Sequence, residues 1–253
     1  MNRRLTLLFA LLLTVVAAPH ARAAAGMGLR WGSCEGTSNR NFACDRATGK
    51  ELLVGSFSPP AGISELTGIE VYMRITSSDA NVPAWWRMAE SGACRQRSIA
   101  VQLDVSDEME CDDPWEGRAM GGIARFRPGS NGLDVVLGIA IPQEAKHALQ
   151  SGQRYAAFKL HIDHQRSTGP GSCEGCTQPV CIVWERLVIA QATRPDPLTK
   201  VSRPRTSEVT TGLPASGGVP GNLATWQGGT PTCGAGLAKP SSWSQIKDRF
   251  RTR

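Results

Sequence analysis

Cys173, Cys176 and Cys181 crowd into the stretch GSCEGCTQPVC. Such spacing supports three kinds of chemistry. A zinc site needs four tetrahedral ligands, and His161, His164 or Cys233 could complete this set. A dithiol couple at Cys173-Glu-Gly-Cys176 needs a lowered thiolate pKa, usually from a helix N-terminus, and the flanking Pro and Gly residues offer no following helix. Plain disulfides need only an oxidising compartment. The chain carries eight cysteines, Cys34, Cys44, Cys94, Cys111, Cys173, Cys176, Cys181 and Cys233. An even count in an exported chain reads as a disulfide framework, since thiolate ligands are normally kept by reducing surroundings. Local spacing predicts Cys34–Cys44 across a polar loop and Cys94–Cys111 across one strand-like run. The remaining cluster is expected to form two bonds, one local and one reaching Cys233.

Other constellations are weaker. The stretch DVSDEMECDDPWE, residues 104–116, contains seven carboxylates. Calcium favours clustered oxygen ligands, with Asp107, Asp112 and Asp113 as its first candidates, yet the DxDxDG order of a dedicated loop is missing. Without a bound ion, such a charge run is an ordinary solvated face. Seven tryptophans supply much of the aromatic surface. An exposed indole stacks on sugar rings, so Trp85 or Trp86 with Trp115 is a candidate glycan platform, while Trp184 inside CIVWERLVI reads as core. GxSxG, HExxH and phosphate-cradling motifs are missing from the sequence. His147, His161 and His164 make no relay by spacing, because in a strand His161 and His164 point to opposite faces. A carboxylate-pair hydrolase leaves no local signature and stays open as the alternative.

The elements that must position these residues begin with an export signal. Arg3 and Arg4 precede an apolar run of about 14 residues and the triplet Ala21-Arg22-Ala23, the pattern of a signal peptide over 1–23, too short to span a bilayer. Removal of Arg3, Arg4 and Arg22 takes the formal +6 to about +3, which gives no basic footprint for nucleic acid. A soluble product, secreted or retained in the periplasm or envelope, is expected.

Period-two alternation dominates the mature chain. Ile69, Val71, Met73 and Ile75 alternate with Glu70, Tyr72 and Arg74, and Ile99, Val101, Leu103 and Val105 alternate likewise with Ala100, Gln102 and Asp104. Each such run has one buried and one wet face. Further strands are predicted over 52–57, 122–126, 133–141, 155–163 and 180–190, and a two-turn helix over 143–150. Strands at this spacing predict an all-β chain, an antiparallel sandwich of jelly-roll or immunoglobulin-like type over 24–192. Pro and Gly then crowd residues 193–240, the composition of a disordered linker. Over 241–253 a short amphipathic helix is predicted, with Trp243, Ile246 and Phe250 on one stripe that needs a docking surface.

This layout resembles a group of uncharacterised secreted bacterial proteins. The residues that carry the likeness are Leu29-Arg30-Trp31, Phe42-Ala43-Cys44, Trp85-Trp86, Cys94-Arg95, the CxxCxxxxC stretch with Pro179, the run Ala224-Thr225-Trp226-Gln227-Gly228-Gly229, and Trp243 with Ile246-Lys247. The resemblance implies secretion and a disulfide-linked β domain and brings no activity with it. The expected function is a non-catalytic binding or envelope-associated module whose partner is a polysaccharide or an envelope protein. The alternative is a secreted glycosidase-like hydrolase.

Overall fold

The computed structural model describes residues 24–77, 82–88, 91–121, 125–128, 132–195, 202–214 and 221–228. The export signal expected over 1–23 and the terminal helix expected over 241–253, with Trp243, Ile246 and Phe250, both lie outside the described residues.

The strands are β1 (Gly26–Trp31), β2 (Asn39–Arg40), β3 (Lys50–Ser58), β4 (Leu66–Ser77), β5 (Ile99–Gln102), β6 (Met120–Gly121), β7 (Arg125–Pro128), β8 (Gly132–Ala140), β9 (Tyr155–Asp163), β10 (Val180–Pro195), β11 (Ser202–Val209) and β12 (Leu223–Trp226). The first sheet runs β1-β3-β9-β5. The second runs β2-β12-β10-β4-β8-β6, with β11 also on β10 and β7 also on β8. Of these pairings, only β12 with β2 is parallel. The protein is an all-β, antiparallel sandwich, as its alternation predicts.

Alternation decides which side chains fill the sandwich. Leu53, Phe158, Leu160 and Ile162 of the first sheet are sealed, as are Ile69, Val71, Met73, Ile75, Val135, Leu137, Trp184, Leu187 and Ile189 of the second. Phe158 and Trp184 meet across the gap with ring centroids 5.3 Å apart. The opposite face of β9 is also covered. Trp115 Nε1 donates to Ala157 O at 3.0 Å, and Lys159 pairs with Asp107. The acidic stretch therefore folds back over the outside of the first sheet.

Two expectations are corrected. Residues 143–150 form only a single 3-10 turn, Gln143–Ala145, because the chain extends again at His147 to pair with Leu66. The linker expected from residue 193 contains two strands of the second sheet, so the sandwich reaches at least to 228. β12 and β11 lie end to end along one edge of β10, opposite Val180–Val183 and Leu187–Pro195 respectively. Pro204 falls where the β10–β11 register shifts, on an edge strand, which is where a sheet tolerates proline. Between these strands the chain binds the free edge of β1. Met27 N donates to Thr211 O, Leu213 N to Met27 O and Leu29 N to Gly221 O. The Pro- and Gly-rich segment thus covers a sheet edge that would otherwise invite pairing with another chain.

Candidate functional site

The cysteine cluster resolves into bonds between distant segments. Cys173 pairs with Cys94, Cys176 with Cys44, and Cys34 with Cys111. Both expected local pairs, Cys34–Cys44 and Cys94–Cys111, are replaced, because the fold carries the local partners apart: Asp112 lies beside Tyr155 at the start of β9, whereas Arg95 reaches Asp163 at its end. The expected local bond within the 173–181 cluster is absent too. Cys181 is disulfide-bonded, and the expected bond to Cys233 has its far end outside the described residues. Cys173 and Cys176 thus form no CxxC couple with each other, and in the bonded state these sulfurs offer no thiolate to a metal.

Aromatic rings seal this end. Trp85 and Trp86, expected to diverge from an extended segment, share the turn Ala84–Trp86 and are both buried. They pack edge to face at 4.9 Å, and Trp226 meets Trp85 at 4.9 Å and Trp86 at 5.4 Å. Trp226 Nε1 donates to Cys176 O at 2.7 Å, tying β12 to the cysteine loop. Gly175 in that loop has φ +108°, and a Cβ there would lie 2.2 Å from Pro83 Cβ; only glycine fits. Trp115 is sealed as well. The glycan platform expected from Trp85, Trp86 and Trp115 is therefore corrected: all three indoles serve as core, since a ring of this size stabilises more by burial than by exposure.

The calcium candidates are not brought together. Asp107 turns to Lys159, which holds its carboxyl below the usual range. Asp113 closes its own turn by accepting from Trp115 N at 2.8 Å and Gly117 N at 2.9 Å. Asp112 joins Tyr155 through its backbone. Among the described residues no group of three or more His, Cys, Asp or Glu side chains could hold a metal ion. Much of the acidic stretch instead grips the loop at Cys34. Glu110 accepts from Ser33 Oγ and Glu35 N, both at 2.6 Å, and Glu108 accepts from Cys34 N at 3.2 Å.

The three histidines among the described residues do not hydrogen-bond one another. His147 Nδ1 lies 3.0 Å from Ala145 O, and His161 Nε2 lies 2.8 Å from Gln102 Oε1. His164 Nε2 lies 2.9 Å from Glu51 Oε1, which also accepts from Arg46. A buried His–Glu pair has the form of a catalytic base and its orienter. Here the ring is fully enclosed, Nδ1 has no hydrogen-bond partner, and its aromatic neighbours are Trp85 and Trp226.

A different surface has the composition of a recognition site. On β4, Glu70, Tyr72 and Arg74 point away from the sandwich. Register places Val136 and Asp134 of β8, and Arg186 and Val188 of β10, beside them. Tyr72, Val136 and Val188 make one apolar cluster. The Arg186 guanidinium lies over the Tyr72 ring at 4.1 Å, and Tyr72 Oη donates to Glu70 at 2.6 Å. Burial, and then the Glu70 carboxylate, push the phenol above its usual range. Arg74 pairs with Asp134 at 3.0 Å and Glu185 at 3.7 Å, and Arg186 with Glu208 at 3.2 Å. Further along the same face, Val183 and Leu223 form a second apolar cluster with Cys181 against it. Backbone-fixed aromatic, aliphatic and arginine side chains of this kind make an apolar centre with a charged rim.

No protein-family model and no curated protein matches the sequence. Solved structures similar to it at a distance include the two that follow. One is a cohesin module from a Clostridium perfringens family 33 glycoside hydrolase, at 6% identity and TM-score 0.30, covering 75% of this chain and 98% of that one. The other, described by its title as AvmM, which catalyses macrocyclization in alchivemycin A biosynthesis, shows 11% identity and TM-score 0.31 over 76% and 90%. At such scores neither carries an argument about this chain.

Sequence reasoning passed over the Tyr72 face. Its signal was available: in EVYMRI the wet-side positions hold an aromatic between two opposite charges. What the sequence did not show was that Val136, Arg186 and Val188, from two other strands, join it.

Proposed function

We propose that this protein is a secreted, non-catalytic binding module that recognises a polypeptide partner through the outer face of its second sheet. The observation that carries this reading is the Tyr72–Val136–Val188 cluster, with Arg186 stacked on Tyr72 and ion pairs around it, on the face turned away from the core. A rigid aromatic and arginine centre with a charged rim suits an apolar peptide segment flanked by charge. Export is supported by the signal-like 1–23 and by the disulfides, which persist in oxidising compartments. Among the described residues no helix is long and apolar enough to cross a membrane.

The test is a binding panel of immobilised amphipathic peptides and bacterial envelope polysaccharides, run on the oxidised protein with Tyr72→Ala beside it. Peptide retention by the parent, weakened at least tenfold by Tyr72→Ala, is the expected outcome. Turnover of any polysaccharide would overturn the reading in favour of a hydrolase. Polysaccharide retention indifferent to Tyr72 would move recognition to another surface.

A further inference from the structure

The outer face of the second sheet is more enclosed than an open sheet face should be. Tyr72 is 9% exposed, Val188 8%, Arg186 2%, Val183 7% and Leu223 7%. Yet the described elements that contact β4 and β10 extensively are their sheet neighbours and, for β10, β1, whose Met27, Leu29 and Trp31 belong to the core. No described strand or helical turn packs extensively across this face. The Arg186 guanidinium covers part of the Tyr72 ring, and burial of this degree across the rest of the face calls for a further covering segment.

Cys181 indicates which segment. It pairs with Thr76 of β4 and Thr225 of β12 in register, two positions from Val183, which stands opposite Arg74; all share the outer face. It is disulfide-bonded. The six other described cysteines bond with one another, so of the eight in the chain only Cys233 is left to it. A bond to Cys233 would tether the segment around residue 233 to this face.

From this reading of the face as a recognition surface, we infer that its resident occupant is the chain's own C-terminal segment, residues 241–253, held in place by a Cys181–Cys233 bond. Trp243, Ile246 and Phe250 supply the apolar stripe, and Lys247, Arg249, Arg251 and Arg253 supply charge for the rim carboxylates Glu70 and Glu208. The reach is sufficient. Cys181 and Arg186 are separated by about 17 Å along β10 at ~3.3 Å per residue. The ten residues from Cys233 to Trp243 span up to about 33–36 Å when extended. Tethering also raises the local concentration of the segment to the millimolar range, so a three-turn helix too weak to stand alone can dock. An external partner then binds only by displacing it.

The experiment uses the full mature chain, with p-benzoylphenylalanine in place of Trp243, irradiated and digested without reduction. Cross-links to peptides containing residues 69–76, 133–140 or 183–188, together with a Cys181–Cys233 peptide, are expected. In parallel, Tyr72→Ala should accelerate amide exchange of 241–253 at least tenfold while leaving that of β9 unchanged. Cross-links to any other region, to a second molecule, or to nothing would overturn the inference, as would exchange of 241–253 that is already unprotected in the parent. None of these results depends on an external partner. The binding panel can therefore fail while self-docking stands, and the reverse.

Discussion

The Arg95 guanidinium lies 3.3 Å from the centroid of the Trp85 ring and donates to Trp85 O at 2.8 Å. Its other nitrogens reach Gln165 O at 2.8 Å and Asp163 O. One buried cation thus binds carbonyls of two segments, the Trp85 turn and the end of β9, beside the Cys94–Cys173 bond. Burial opposes its charged form, and Asp163 favours it.

Arg95→Met should therefore leave the buried Trp85 carbonyl without this donor, together with the partly buried carbonyls of Asp163 and Gln165, and cost about 1–3 kcal/mol. Arg95→Lys should rescue little of this, because a single ammonium cannot reproduce the planar fork or its stacking. Urea unfolding of the oxidised protein measures both. Equal stability of Lys and parent would show that the fork is not what the site uses.

His161 makes stability depend on pH. Burial first, then Lys50 and Lys159, lower its pKa below 6.5. The unfolded chain therefore binds the proton more readily, and stability falls as pH drops from the unfolded value through the folded one. His161→Gln should flatten the thermal midpoint between about pH 7 and pH 5 relative to the parent. A parent midpoint that rises across that interval would contradict the sign.

Gly55 stands opposite Phe158 in the β3–β9 register. A Cβ there would lie 2.3 Å from the Phe158 ring. Gly55→Ala must push that ring off its contact with Trp184, at about 1–3 kcal/mol. Calorimetry should show the loss, and the double variant with Phe158→Leu should recover part of it.

The Cys44–Cys176 bond joins segments 132 residues apart, the longest span of the three. Replacing both cysteines by Ser should cost about 2–5 kcal/mol, chiefly by freeing the unfolded chain. The same double change at Cys34 and Cys111, 77 apart, should cost slightly less. Chemical unfolding of the two double variants compares them directly.

Much of the fold was legible because a half-buried strand writes its two faces into alternate residues. Ile69 to Ile75 and residues 155–163 were read as strands for that reason and lie in β4 and β9. β1 was missed although Met27, Leu29 and Trp31 alternate with Gly28 and Arg30, because two glycines in six residues weaken the strand signal. β11 and β12 were missed because proline and glycine near sheet edges resemble those of a linker.

The sequence by itself determined the class of the molecule: alternating strands in number and cysteines in an even set. These properties depend on near neighbours in the chain. Only the tertiary structure decided that Cys173 meets Cys94 and Cys176 meets Cys44, that Trp85, Trp86 and Trp115 are enclosed, and that Tyr72, Val136, Arg186 and Val188 share a face. Each is a relation between strands or loops far apart in the chain, set by sheet order and register. The physical reason is that a disulfide or a packed ring depends on distance in space, which local spacing does not encode.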